Sequence, residues 1–364
     1  MKVSVILPCR NEEAALGECI DEIREALEGS DYEIIVSDSS TDRSPEIARE
    51  KSAKVVKHDL PGYGRAYLEG FKEAAGDYFM LGDADGTYDF KEIPEFLKAL
   101  DGGFDLVIGD RFRGRIHEGA MPWHHRHIGN PLLSWIFRLF FNADVHDTHC
   151  GLRAVRRDAL EGMELKTTGM EFASEMLIKA TEKGLRIGEI PIEYHVRKGE
   201  SKLRSFSDGW RHLRFMLMYA PDRIFLAPGA ALLALGLAAI SYSILGYAGD
   251  GISPSVVAGM VSSLLGYQVL SLGLYSKTYM KSAGYIGGDR VLEEIAKRVR
   301  FETGVVLGFL MGAGGVSLGL SAMSGYFGGN TGNVILASAT IALMGAQTVF
   351  NSFYLSSLLV EKRG

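Results

Sequence analysis

Three long stretches without a charged residue decide most of what this chain can become. Ile224 to Gly249, Gly251 to Ser276 and Thr303 to Val360 contain no Asp, Glu, Lys or Arg, whereas charges are dense from Met1 to Arg223. A helix of ~20 apolar residues crosses a ~30 Å hydrocarbon core. Each of the first two stretches is long enough for one crossing. The third is too long for one, and Gly325-Tyr-Phe-Gly-Gly-Asn-Thr-Gly332 divides it in two. Core helices of a soluble protein would carry charge on some face. The expected plan is a soluble domain joined to four transmembrane helices at about 224–248, 253–276, 303–324 and 333–359.

Lysine and arginine near the spans set the expected orientation. Arg211, Arg214 and Arg223 precede the first span. Lys277, Lys281, Arg290, Lys297, Arg298 and Arg300 lie between the second and third, and Lys362 and Arg363 follow the fourth. The opposite loops offer Asp250 and no cation. Both termini and the large domain are therefore expected to face the cytoplasm. The run Val3 to Leu7 is too short for a signal-peptide core, and Arg10-Asn-Glu-Glu13 closes it. Cys9, Cys19 and Cys150 have neither disulfide-framework nor zinc-finger spacing and suit a reducing compartment. A net charge of −6 over 364 residues argues against a nucleic-acid partner.

The first half alternates strand and helix. Val3–Leu7, Glu33–Val36, Lys54–Val55-Val56–Lys57, Tyr78–Leu81 and Asp105–Ile108 read as strands. Glu12–Leu27, Ser44–Lys51 and Gly64–Ala75 read as helices, with Pro45 suited to a first turn. Such alternation implies an α/β domain with a mainly parallel sheet covered on both faces. Ligands then bind beyond the carboxyl ends of the strands. The polar clusters fall there: Pro8-Cys-Arg-Asn-Glu12, Asp38-Ser-Ser-Thr-Asp42, Pro61-Gly-Tyr-Gly-Arg65 and Asp83-Ala-Asp85. Pro131–Phe141 and Ser205–Tyr219 are basic and amphipathic. The second places Phe206, Trp210, Leu213 and Leu217 on one face. Both suit the headgroup plane of a membrane, or packing against the domain.

Asp83-Ala-Asp85 is the central chemical signal. Two carboxylates two residues apart at a strand end can reach one divalent cation and a nucleotide ribose, and Mg2+ needs few protein ligands beside substrate phosphates. Gly62-Tyr-Gly64 could cradle phosphate or form a plain turn. His124, His125 and His127, with His146 and His149-Cys150, invite a zinc reading. The oxygen-rich chemistry of the Asp pair argues for a hard cation instead.

Residues 3–204 resemble the polyprenyl-phosphate (dolichyl-phosphate) hexosyltransferases, inverting glycosyltransferases of the Rossmann-like GT-A fold. Val5-Ile-Leu-Pro-Cys-Arg-Asn-Glu12 matches the family's opening strand and turn, and Glu33-Ile-Ile-Val-Ser-Asp-Ser-Ser-Thr-Asp42 its second strand. Gly82-Asp-Ala-Asp85 matches its metal motif. Asp147-Thr-His-Cys-Gly-Leu-Arg153 resembles its Asp-x-x-x-Gly-Phe-Arg element, and Gly199-Glu-Ser-Lys-Leu203 its Gly-x-Ser-Lys-Leu. The resemblance implies a GT-A catalytic domain at 1–204, an amphipathic juxtamembrane helix at 205–222 and a transmembrane domain of two hairpins at 223–364. It implies transfer of one hexose, glucose or mannose, from a UDP- or GDP-sugar to polyprenyl or dolichyl phosphate, with Mg2+ or Mn2+ as cofactor. The lipid bilayer is a further partner, and a homo-oligomer is left open.

The same resemblance distributes roles. Asp83 and Asp85 would hold the metal, and Pro8, Arg10, Glu12, Asp38, Asp83, Arg197 and Lys202 would bind the nucleotide sugar, the last two cations closing over the diphosphate. Arg111, Arg126 and Arg153 would clamp the acceptor phosphate. Asp147 would be a general base or would position an acceptor-binding arginine, with Glu171 and Glu175 as further carboxylates on one helix face. Transfer of N-acetylhexosamine is an alternative. A processive polysaccharide synthase would need a Gln-x-x-Arg-Trp motif, yet the only glutamines are Gln268 and Gln347, both inside spans. A non-catalytic scaffold or transporter would be expected to carry ionisable groups in its spans.

Overall fold

The computed structural model describes residues 2–199, 205–246, 251–285 and 301–360. It divides the chain into two compact units, Met1–Met216 and Leu217–Gly364. The boundary cuts the amphipathic helix expected at 205–222.

In the first unit the elements run β1 (Lys2–Cys9), α1 (Leu16–Ala26), β2 (Asp31–Asp38), α2 (Ser44–Glu50), β3 (Lys54–Lys57), α3 (Tyr63–Lys72), β4 (Tyr78–Leu81) and α4 (Ile93–Asp101). There follow β5 (Leu106–Ile116), α5 (Asn130–Phe141), β6 (Arg153–Arg156), α6 (Arg157–Met163), α7 (Phe172–Glu182), β7 (Ile187–Tyr194) and α8 (Ser205–Tyr219). One seven-stranded sheet has the order β3-β2-β1-β4-β6-β5-β7. Only β6 runs against the rest, pairing antiparallel with both β4 and β5. The run Val3-Ser-Val-Ile-Leu7 is buried, as a central strand covered on both faces must be. Leu16, Cys19, Ile20 and Ile23 form the buried face of α1 at helical spacing. Helix α1 begins later than the expected Glu12, because the Glu12 carbonyl accepts from Ala15 and Leu16 in a turn. Strand β5 runs eight residues past the expected Ile108, with a register shift between Asp110 and Arg115, because β7 pairs with it along that length.

Because β6 is antiparallel, its first residue lies at the carboxyl edge of its neighbours, and Arg153 stands beside Leu81. The Asp147–Leu152 segment is thereby delivered to the same edge as Asp38, Asp83 and Asp85. Helix α5 buries Ser134 and Phe137 but leaves Leu132, Trp135 and Leu139 exposed, in line with Trp123 and Ile128 before it. In α8 the buried side is His212, Phe215, Met216 and Tyr219, while Trp210 is exposed. The helix therefore has a second apolar face besides the expected one.

Among its described residues the second unit has four helices long and apolar enough to cross a membrane, Asp222–Gly246, Pro254–Ser282, Glu302–Met323 and Gly328–Leu358. Their regular cores are α9 (Ala227–Gly246), α10 (Pro254–Ser282), α11 (Phe301–Met323) and α12 (Thr331–Val360). Glycine permits the close pairing of α9 with α10: a Cβ on Gly236 would come within 2.7 Å of the Gly259 carbonyl oxygen. Hydrogen bonds tie α10 to α12, Tyr267 Oη with Thr348 Oγ1 at 2.6 Å and Asn351 Nδ2 to Ser271 Oγ at 2.7 Å. Lys277, near the end of α10, pairs with Asp222 at 2.7 Å.

Candidate active site

The residues at the carboxyl edge are locked together by contacts remote in sequence. Asn11 follows β1 in the left-handed region, φ 55°. Its side-chain oxygen accepts from the Thr41 N–H at 2.8 Å, and its own N–H donates to Ser40 Oγ at 2.8 Å. The turns after β1 and β2 thus form one floor. Pro8 is half-buried on β1 beside Ser37, and Arg10 is exposed on the turn. Asp38, fully buried, accepts from the Ser40 N–H at 3.1 Å and pairs with Lys57 Nζ at 2.8 Å. Lys57 was not singled out from sequence. Its signal is strand register, which sets it directly beside Asp38.

Asp83 and Asp85 follow β4. Asp85 is buried; its Oδ1 accepts from the Thr87 N–H at 3.1 Å and Oγ1 at 2.6 Å. Its Oδ2 accepts from Arg197 Nη1 at 2.8 Å, and Arg197 Nη2 reaches Glu12 Oε1 at 2.5 Å. One guanidinium therefore bridges two carboxylates from distant parts of the chain. Asp83 is half-buried, and removal from water, followed by the charge of Asp85, pushes its carboxyl up to about 7. Gly151 makes room for it: a Cβ there would lie 2.8 Å from Asp83 Oδ2. The Gly151 N–H donates to Tyr88 Oη at 2.7 Å. Oxygen-only donors with a deficit of positive charge fit a hard divalent cation.

Arg111 lies on β5 with its fork on Asp147, Nε to Oδ2 at 2.6 Å and Nη2 to Oδ1 at 2.7 Å. The pair is almost wholly buried, 7% and 0% of the side chains being exposed. Tyr194 lies under the guanidinium, its ring centroid 5.1 Å away. Both Asp147 oxygens are thus engaged by arginine. Arg153 departs from the expected phosphate clamp. Its guanidinium is buried and donates to the carbonyls of Cys150, Ala173 and Thr148 at 2.8, 2.8 and 2.9 Å, which makes it an internal brace. Arg126, in the helical turn before α5, is exposed; its N–H donates to the Pro122 carbonyl at 3.0 Å, and its side chain makes no hydrogen bond or ion pair among the described residues. Lys202 and its Ser-Lys-Leu segment lie outside the described residues.

The remaining candidates sit elsewhere. Glu175 is buried, pairs with Lys179 at 3.0 Å and accepts from the Thr167 N–H at 2.8 Å, so it shapes the 166–169 loop. Glu171 sits at the start of α7. That loop packs against Gly62-Tyr63-Gly64, where Cβ atoms on the glycines would overlap the Thr168 and Thr167 carbonyls; the motif serves a close backbone approach. His149 lies edge-to-face on His212, ring centroids 4.4 Å apart, and His146 Nδ1 is 2.8 Å from Glu189 Oε2. His124 and His125 are in contact with each other, and His127 with Trp123.

Residues 4–163 match the model of glycosyl transferase family 2, and residues 274–359 that of the glycosyltransferase family 2 C-terminal transmembrane region. The low-salt glycan biosynthesis hexosyltransferase Agl6 of Haloferax volcanii is 42% identical, covering 98% of this chain and 89% of that protein. A dolichyl-phosphate hexose transferase of the same organism is 36% identical over 57% of this chain and 89% of its own length. The dolichol-phosphate mannosyltransferase of Pyrococcus furiosus is 36% identical over 56% of this chain and 60% of its own. A mycobacterial protein of known structure, 23% identical, superposes with a TM-score of 0.51 over 60% of this chain and 74% of its own, which concerns the fold alone. Near-full-length similarity to one relative and the two family matches lead to one conclusion: the chain belongs to glycosyltransferase family 2, a GT-A enzyme with a multi-pass membrane region.

Proposed function

We propose that this glycosyltransferase moves one hexose, glucose or mannose, from a nucleoside-diphosphate sugar to a polyprenyl (dolichyl) phosphate, with inversion and with a divalent metal. The observation that carries the reading is the meeting, at one sheet edge, of the Asp83/Asp85 pair with an arginine held ready by a carboxylate. The Arg111 charge is close enough to act on the Asp83 carboxyl. Relatives named as dolichyl-phosphate hexose transferase and dolichol-phosphate mannosyltransferase support the acceptor class.

Asp83 and Asp85 are the residues that would hold Mg2+ or Mn2+, which when bound supplies counter-charge to the leaving diphosphate. Asp38 and Lys57 stand where the nucleoside would lie, and Arg197 can exchange its carboxylate partners for diphosphate oxygens. Arg111, aimed by Asp147, and Arg126 receive the acceptor phosphate. An acceptor oxygen attacks the anomeric carbon from the face opposite the diphosphate. The new C–O bond forms as the old one breaks, and the nucleoside diphosphate departs with the electron pair. A phosphate monoester with second pKa ~6 is already ionised near neutral pH, so no base need take a proton. That accords with an Asp147 committed to Arg111.

The catalytic unit and both termini would face the cytoplasm, supported by the lysines and arginines flanking the spans. The enzymatic reading is tested with Asp85→Ala. Transfer should fall at least ~100-fold, as on losing one transition-state contact, in a variant that still melts cooperatively although it has lost the Thr87 and Arg197 contacts, and excess chelator should do the same to the wild type. Near-normal transfer in either case contradicts a metal-dependent site at this edge.

A further inference from the structure

A second group of donors converges where β5 and β7 end. The parallel ladder sets Arg115 beside Glu193 and Ile116 beside Tyr194, and the His117 N–H donates to the Tyr194 carbonyl at 3.0 Å. The next step of the ladder places His117 next to His195, with Glu193 two residues earlier on the same face. The imidazoles are stacked, ring centroids 4.4 Å apart and planes 21° from parallel. His117 Nε2 lies 2.7 Å and His195 Nε2 3.9 Å from the same oxygen, Glu193 Oε2. One donor atom from each of the three residues falls within 4.8 Å of the others.

An ordinary His–Glu pair would use one ring. Here the second ring has its Nε2 beyond hydrogen-bonding range of the carboxylate and held in register over the first. The three donors lie within 4.8 Å of one another, wider than the separation of about 3.3 Å between ligands of one ion with bonds of ~2.0–2.1 Å, so binding would turn the stacked rings toward Glu193 through side-chain rotation alone. All three side chains are partly exposed, 30%, 46% and 37%, which leaves room for water in the remaining positions. Two imidazoles and one carboxylate with open positions is a set for a transition ion, whereas Asp83 and Asp85 offer oxygen alone. The site stands on strand ends, so folding brings the three side chains together.

We propose that His117, Glu193 and His195 form a second metal site, for a borderline ion of the Zn2+ class, that fastens the end of β7 to the end of β5. This inference rests on these three residues and not on the proposed acceptor. The site adjoins the catalytic edge through the backbone: the His195 N–H donates to the Thr87 carbonyl at 2.8 Å and the Lys198 N–H to the Asp85 carbonyl at 2.9 Å. Between them stands Arg197, bridging Asp85 and Glu12. An ion at the β5–β7 end therefore steadies the segment that carries Arg197.

The test uses full-length protein in detergent, stripped of metal and then given excess Mg2+ to occupy oxygen-only sites. Co2+ is titrated as a visible probe and displaced with Zn2+. One equivalent of Co2+ per chain should bind with the absorption of a low-coordinate nitrogen and oxygen site, and Zn2+ should bleach it. In the His117→Ala/His195→Ala double variant affinity should fall by more than ~100-fold, beyond what loss of a supporting contact costs. Glu193→Gln, which keeps size and surface character, serves the same purpose if the double variant is unfolded. No one-equivalent absorption in the wild type, or equal Co2+ affinity in a folded variant, overturns the proposal.

Discussion

Asp147 shows how much one carboxylate can do at the scale of a residue. It is buried, and both of its oxygens are spent on the Arg111 fork. Removing one member of a buried ion pair leaves the other charged without compensation, which costs about 3–5 kcal/mol. Asp147→Asn keeps shape and removes charge, so the account expects a loss of that order in unfolding experiments on the detergent-solubilised enzyme. The lipid KM should rise as Arg111 loses its aim, while the KM for the nucleotide sugar stays nearly constant. A stable variant with unchanged lipid KM would show that Arg111 does not depend on Asp147.

At the scale of elements, α8 is attached to the first unit through a buried histidine pair. His212 Nδ1 lies 2.8 Å from Ser174 Oγ of α7, and His149 packs edge-on against the ring. Burial, and then the charge of Arg153, lowers His212 to about 4, and burial with the His212 charge lowers His149 well below its usual value. Above pH ~6.5 folded and unfolded histidines are both neutral, and the pair has no effect on the pH dependence of stability. As pH falls from ~6.5 toward about 4, the unfolded chain takes up protons that the folded one refuses. His212 alone should then cost about 3 kcal/mol, fully lost once pH is below the folded value. Thermal melts between pH 7 and 4 should show this fall, and His212→Asn should flatten it; an unflattened curve would place the acid sensitivity elsewhere. The elements also show what the sequence discloses. The strands at 3–7, 33–36, 54–57 and 78–81 were legible because each is an unbroken apolar run or lies beside one. Strand β6, Arg153-Ala-Val-Arg156, is short with charged ends, and β7 contains Pro191, so neither carried a strand signal.

For the whole molecule, the four spans were legible because hydrocarbon forbids charge, a rule that acts residue by residue. The site was legible only in its acidic half. Asp38, Asp83 and Asp85 follow apolar runs, but the partners that give them meaning come from far along the chain. Arg197 lies 112 residues from Asp85, and Lys57 meets Asp38 only through strand register. Whether the spans take part in chemistry is likewise a question at this scale. Their outward faces are apolar, so a 1–222 fragment with a short-chain polyprenyl phosphate in detergent should retain measurable turnover. A folded fragment without any turnover would show that the spans complete the acceptor site. The central claim, hexose transfer to a polyprenyl phosphate, is tested most directly by incubating membranes containing the enzyme with radiolabelled UDP- and GDP-hexoses. The account predicts label that extracts into organic solvent and is released by mild acid, with one nucleotide sugar preferred and none formed by Asp85→Ala. Label confined to water-soluble or polymeric product, in membranes where the wild-type enzyme is folded and supplied with polyprenyl phosphate, would contradict it.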